Sequence, residues 1–378
     1  MKGFLLLLCL LLCLFSSGCS QSGSLAGNYR ELEHMRLIHA VGFDLPEGRL
    51  SLSVSGGAKN KQGVTRLSCY GQNISDAMVN LQNFSGKEEL YYAHTRFMLA
   101  GEDYARSGIF PMLRHMQQNP QLRMDLPLFV IRSGNAADLL LYAGGEENSI
   151  YDVLRVVMGD CKKHGSSIPF SCDDILVALN ERGSSLVCAL DVQKTAEASP
   201  DADEEELTPT AAGFGILRDG QLVGYLSRNC APGVGILLGK TGNDSSTITL
   251  DGQPITYHIT EARHHLSPHW GTGGSLTGLT LTAEVAATIK EGESRGHLSR
   301  LEDRFARQIQ GWLTEITQQM NATGTDFLDF GGELARLSPI RWAHNPRPWP
   351  EQLTSLPIRV EVNCHLQLGE SQNHTEGS

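Results

Sequence analysis

The residue with the most definite chemistry stands at the end of an apolar leader. Met1-Lys2-Gly3 gives a short positive start, Phe4 to Phe15 is an uncharged apolar run, and Ser16-Ser17-Gly18 precedes Cys19. A positive start, a short apolar stretch and small residues before a cleavage point mark an export signal. A cysteine directly after Ser17-Gly18 adds a thiol that can be alkylated with diacylglycerol. Cys19 is therefore expected to become the acylated first residue of a lipoprotein. Two acyl chains, at ~0.8 kcal/mol per buried methylene, hold a chain on a bilayer far more firmly than one does. Cys9 and Cys13 leave with the leader, and Cys69, Cys161, Cys172, Cys188, Cys230 and Cys364 remain. Their spacing has no metal-knuckle pattern, and they read as buried thiols, because a chain of this length does not need disulfide staples.

Other reactive patterns are incomplete. Gly239-Lys240-Thr241 has the ending of a phosphate-binding loop, but Val234 stands where the first glycine is needed. The segment behind it, Ser245 to Leu250, reads as a strand, whereas phosphate binding uses a helix N-terminus. His264, His265 and His269 have no carboxylate base at helical spacing, and adjacent histidines on a strand face opposite ways, so they read as polar loop residues. Asp326 and Asp329 bracket a helix start, which is ordinary capping. There is no Gly-x-Ser-x-Gly elbow, no Cys-x-x-Cys pair and no Gly-x-Gly-x-x-Gly after a strand. The expectation is a protein that is not an enzyme, with no catalytic residue, cofactor or metal. Contact chemistry is better represented. Among the prolines near the C-terminus, Trp342 and Trp349 lie beside Arg341 and Arg347. Tryptophan and arginine are enriched at binding hot spots, which makes Trp342, Arg347 and Trp349 candidate partner-contact residues. The other reading of the two indoles is that they cap the helical layer of the C-terminal core.

The elements that must position these residues follow from composition and pattern. At 378 residues, with 40% hydrophobic and 19% charged side chains, the chain can bury a core and suits two or three domains. Lys and Arg number 31 against 42 Asp and Glu, for a net charge of −11, or −12 once the leader takes Lys2 with it. That balance excludes general attraction to nucleic acid or to an anionic membrane surface. Beyond the leader, no stretch approaches the ~20 apolar residues of a spanning helix. Residues 1–18 read as the signal peptide, 19–29 as a tether, 30–194 as an N-terminal α/β domain and 195–210 as an acidic linker. Residues 211–370 read as a C-terminal α+β region, divisible into 211–262 and 263–370, and 371–378 as a disordered tail. The fold class is therefore α/β and α+β in several domains. The N-terminal block should be a mixed sheet with packed helices, and the C-terminal block an antiparallel sheet with long helices. Leu298, Leu301, Phe305, Ile309, Trp312, Ile316 and Met320 mark one face of the longest helix. Phe327 to Leu337 gives a second helix, and Pro339 to Pro350 an irregular loop.

The order of these features resembles the Ger(x)C family of spore-germination lipoproteins. Arg30-Glu31-Leu32 with Leu37 to Asp44 is similar to the family's opening, and Tyr91 to Gly101 with Glu102 and the following helix to its strand, Gly-Glu and helix. Phe214 to Leu226 resembles its second-half hairpin. Asp326, Phe330, Gly331, Pro339, Trp342 and Trp349, followed by the strand Ile358 to Cys364, resemble its C-terminal signature. The resemblance implies a subunit of a nutrient germinant receptor, lipid-anchored to the outer face of the inner spore membrane. Its partners would be membrane-embedded A and B subunits, and it carries over no catalytic residue. The rival reading is a free-standing extracytoplasmic lipoprotein that captures a small ligand between its two blocks.

Overall fold

Runs such as Phe97-Met98-Leu99-Ala100 and Leu128-Phe129-Val130-Ile131 are apolar at every position, which suits strands covered on both faces. The computed structural model, which describes residues 35–57, 64–86, 88–142, 150–165, 167–195, 206–241, 245–292, 298–345 and 347–368, bears this out. Cys19, the tether, the tail and residues 196–205 lie outside the described residues. One sheet comprises β1 (Met35–Asp44), β2 (Ser51–Gly57), β3 (Val64–Tyr70), β4 (Glu89–Tyr91), β5 (Phe97–Gly101), β6 (Leu128–Ile131), β7 (Ser184–Thr195), β8 (Glu206–Arg218) and β9 (Gln221–Leu226). Its order is β3-β2-β1-β5-β6-β7-β8-β9, with β4 also paired to β1. The inner strands β1, β5, β6 and β7 are parallel, and hairpins flank them on both sides.

The helices of this block are α1 (Ile74–Phe84), α2 (Glu102–Ser107), α3 (Phe110–Gln118), α4 (Ala136–Tyr142), α5 (Ile150–His164) and α6 (Cys172–Arg182). Met98, Ala100, Leu128 and Val130 point to the face packed by α1, α2, α3 and α6. Phe97, Leu99, Phe129 and Ile131 point to the face packed by α4 and α5. Gly108, at φ 122°, separates α2 from α3 by a conformation that side-chain-bearing residues rarely adopt. At the C-terminal end of β1, Asp44 is 2% exposed and accepts from the backbone N–H groups of Ala136 and Ala137 at 2.7 and 2.8 Å. The carboxylate thus satisfies the first turn of α4. Its burial pushes the Asp44 pKa up to about 6.

The acidic segment occupies a different place from the expected one. Residues 195 and 206–210, assigned to a linker, are strand: β7 and β8 pair antiparallel, with Thr195 opposite Glu206 and Ser184 opposite Arg218. Residues 211–226, assigned to the C-terminal region, complete the first sheet. The sequence concealed this because ladder pairing is a backbone property, and a strand end can carry Glu, Thr and Pro without apolar alternation. The segment therefore joins two strands of one sheet. Cleavage within 196–205 is expected to leave two pieces that stay together on gel filtration. Their separation without denaturant would show that the ladder does not hold them.

A second sheet contains β10 (Ser245–Leu250), β11 (Gln253–Trp270), β12 (Leu276–Glu291) and β13 (Ile358–Leu368) in sequence order. Its first three strands are antiparallel as expected, but β13 runs parallel to β12. A helical crossover returns the chain to the end at which β12 began, and such a connection makes neighbours parallel. The helices here are α7 (Ala231–Leu237), α8 (Leu298–Thr323), α9 (Phe330–Leu337), α10 (Pro339–Ala343) and α11 (Trp349–Leu353). The expected stripe on α8 is buried at Leu301, Phe305, Ile309, Ile316 and Met320, and Leu313, which was not expected, is buried in place of Trp312; each contributes roughly 1.5–3 kcal/mol relative to exposure. Leu298 is exposed and Trp312 half-buried. Side chains of α8 also meet the free backbone groups of β13: Gln310 donates to the Val360 carbonyl at 2.8 Å, and Glu302 accepts from Leu366 N–H at 3.0 Å. Leu186, Phe214, Ile216 and Leu226 of the first sheet join one apolar cluster with α7, α8 and the second sheet. All six described cysteines are buried, and none is in a disulfide.

Candidate contact site at the C-terminal corner

The site is built on a carboxylate placed just before a helix. Asp326 is 7% exposed, and its Oδ1 accepts from Phe330 N–H at 2.8 Å while Oδ2 accepts from Gly331 N–H at 2.7 Å. Oδ2 also accepts from the indole Nε1–H of Trp349 at 2.7 Å. One side chain therefore satisfies the first turn of α9 and ties down the start of α11. Burial raises its pKa above the ordinary aspartate value, and the three donors act in the opposite direction. Gly331 is required by proximity, since a Cβ there would stand 2.7 Å from Trp349 Nε1. The helix starts at Phe330 instead of Phe327, because Asp329 takes a left-handed conformation, φ 64°, immediately before it.

The expected irregular loop contains two short helices, α10 and α11. Each carries its proline in the first turn, where the missing N–H has no helical partner to lose. Trp342 and Trp349 meet edge to face with centroids 5.3 Å apart. Both indoles pack, half-buried, against the cluster of Leu276, Leu279, Leu334 and Leu356. Gln352 donates to the Leu276 carbonyl at 3.3 Å and accepts from Asn345 at 2.6 Å. Arg347 is exposed. Of the three candidate contact residues, then, Trp349 is turned inward, Trp342 is packed on it, and Arg347 is at the surface. Cys19 lies outside the described residues.

The corner is attached to the first sheet. Ser184 at the start of β7 donates its hydroxyl to the Asp326 carbonyl at 2.7 Å, and Arg218 donates to the Thr323 carbonyl at 2.9 Å. Between them is a cleft of about 370 Å³ lined by Arg182, Arg218, Asp219, Asp329, Trp342 and Trp349. Arg182 lines this cleft, and its Nε is buried with no hydrogen-bond partner among the described residues. Neither Ser184 nor Arg182 carried a signal in the sequence, since both belong to a segment remote from the tryptophans along the chain. The histidines are not in a loop: His264, His265 and His269 lie on β11. His264 pairs with Glu333 of α9 at 3.2 Å, and His269 bonds Thr280 at 2.8 Å, so they serve separate local contacts.

Comparison with known proteins covers most of the chain. A family model described as the spore germination protein N-terminal domain matches residues 28–192. A second, described as spore germination B3/GerAC like, C-terminal, matches residues 212–368. Spore germination protein B3 of Bacillus subtilis (strain 168) is 21% identical over 324 residues, covering 82% of this chain and 82% of that protein. The crystal structure of the GerBC protein superposes with a TM-score of 0.57 at 18% identity, covering 89% of this chain and 99% of that one. That likeness establishes the shared fold.

Proposed function

Because the chain belongs to the Ger(x)C family of spore germination proteins, which supplies the C subunit of germination receptors, we propose that it is the lipid-anchored subunit of a nutrient germinant receptor. It works by contact with membrane-embedded A and B subunits on the outer face of the inner spore membrane. The observation that carries this reading is the pair of family matches, which together run from residue 28 to residue 368. The Ser17-Gly18-Cys19 site behind an apolar export run supports the anchor. The bonding of the corner supports a contact role. Asp326 has both carboxylate oxygens committed to holding α9 and α11, which leaves structure and surface as its product.

Cys19→Ala is expected to leave the protein unprocessed or detached from the membrane and to cripple germination. Metabolic labelling with a clickable palmitate analogue checks the chemistry. An unlabelled wild-type protein that is nevertheless processed normally would rule out lipidation. Co-purification of the detergent-solubilised protein with multi-spanning subunits from spores tests the receptor assignment, and its isolation alone at native abundance would count against it.

One observation favours the second reading, a protein that binds a small ligand. The cleft of about 370 Å³ lies between the first sheet and the corner, in the size range of ligand pockets, and Arg182, whose Nε has no hydrogen-bond partner among the described residues, is one of its lining residues. Titration calorimetry with small carboxylates, repeated on Arg182→Met, separates the two readings.

A further inference from the structure

The net charge of the chain opposes general attraction to an anionic surface, but one stretch of the chain is a local exception. From residue 334 to residue 350 there is no carboxylate, while Arg336, Arg341 and Arg347 fall in that stretch. Arg336 is engaged by Asp329 at 3.5 Å. Arg341 and Arg347 are exposed, with no ion-pair partner among the described residues. Along the chain the flanking carboxylates are Glu333, hydrogen-bonded to His264, and the exposed Glu351, while Glu181, Asp219 and Asp329 line the cleft behind the two tryptophans. The same stretch carries two apolar side chains that the core does not take up, Ile340 at 76% and Leu337 at 44% exposure. Exposed aliphatic groups set among unpaired arginines match the chemistry of a lipid headgroup boundary.

The strand register places the point at which the corner is attached to the first sheet. Gly42, Leu99, Phe129 and Cys188 lie at one level across β1, β5, β6 and β7, which all run the same way. Met35 begins β1 and Ser184 begins β7, both on the N-terminal side of that level. The two strand starts therefore emerge at the same edge of the sheet, three strand spacings of ~4.8 Å apart. Ser184 is also the residue that holds the Asp326 carbonyl, so the corner is fastened to the edge at which the chain from Cys19 enters. Between Cys19 and Met35 the chain spans at most roughly 55 Å even when fully extended.

We propose that the corner formed by Leu337, Ile340, Arg341 and Arg347 rests against the anionic headgroup surface of the membrane, an inference that rests on the lipid-anchored reading. The arginines meet lipid phosphates, Ile340 and Leu337 enter the headgroup–acyl boundary, and Trp342 and Trp349 hold the corner rigid behind them. The anchor keeps the protein at the bilayer, and this second contact sets which edge of the sheet faces it.

Flotation of the chain from residue 20 onward, which retains every described residue, tests this without the lipid. The probes are vesicles of phosphatidylcholine alone and of phosphatidylcholine with phosphatidylglycerol. Association with the anionic vesicles only, weakening as salt is added, is expected. Arg341→Gln with Arg347→Gln should weaken it on the order of 30-fold, at about fivefold per arginine near an anionic surface. Ile340→Ser should weaken it with less effect on the salt dependence, and all three sites are exposed, so melting temperatures should match the wild type. No association with anionic vesicles, or undiminished association of the variants, overturns the proposal. Should the wild type ignore vesicles while Arg347→Glu loses co-purification with membrane subunits, the corner is a protein contact and the proposal falls. An unlabelled Cys19 would remove the anchor but leave the flotation result standing, so the two failures are distinguishable.

Discussion

Asp326→Ala is expected to destabilise the protein by about 3 kcal/mol, as two buried backbone donors and the half-buried Trp349 indole lose their acceptor at about 1–3 kcal/mol each, offset by relief of a buried charge. The donors are Phe330 N–H, Gly331 N–H and Trp349 Nε1–H, at 2.7 to 2.8 Å from the carboxylate. The offset follows from burial, which raises this carboxyl's pKa, so that ionisation costs the folded state. Asp326→Asn keeps one good acceptor and should lose roughly half as much. Trp349→Phe keeps most of the packing on Trp342 and deletes only the indole donor, so a loss of about 1 kcal/mol is expected. Urea unfolding followed by far-UV circular dichroism gives the totals. Near-UV signals of the packed indoles report whether α9, α10 and α11 come loose before the sheets do. Stability within about 0.5 kcal/mol of wild type for Asp326→Ala, the range of ordinary surface changes, would mean that water replaces the carboxylate and that the corner is not built on it.

Asp44 gives the second large effect, and it is one of pH. Its folded pKa of about 6 is above the ordinary aspartate value of 3.8, with burial as the first cause and the N–H groups of Ala136 and Ala137 opposing it. Between these two values the folded protein holds a proton that the unfolded chain has released. The stability tied to this proton is fully present below about pH 3.8 and is lost as pH rises through about 6. A carboxyl raised that far above its ordinary value carries about 3 kcal/mol of pH-dependent stability in all. Other carboxylates titrate in the same window, so the quantity to measure is the difference between wild type and Asp44→Asn. Wild type should gain on the variant by about 2.5 kcal/mol from about pH 7 to about pH 4. A flat difference curve would show that the Asp44 carboxyl is not perturbed. Asp44 and Asp326 are the same device used twice, a buried carboxylate at the first turn of a helix, once in each family-matched region.

Much of this molecule was legible along the chain. The continuous apolar runs of β5 and β6 and the stripe on α8 each report a local periodicity, and these depend only on neighbouring residues. The order of such segments was enough to indicate the family. Chain length argued against disulfide staples, and the six described cysteines are buried with none in a disulfide.

What the sequence could not decide is which distant segments meet. The acidic stretch looked like a boundary because side-chain composition does not encode ladder pairing, and only the fold shows Thr195 opposite Glu206. The direction of β13 was hidden for the same reason, since an alternating strand reads identically whether its neighbour runs parallel or antiparallel. Asp326 looked like an ordinary cap, and its hold on Trp349 needed the chain to return across α10. Trp342, Arg347 and Trp349 are similar in kind along the chain, but the fold turns Trp349 inward and leaves Arg347 outside. Residue type and spacing determined what each segment could form. Burial and the pairing of remote backbone groups, which exist only once the chain has packed on itself, decided which of those possibilities each residue took.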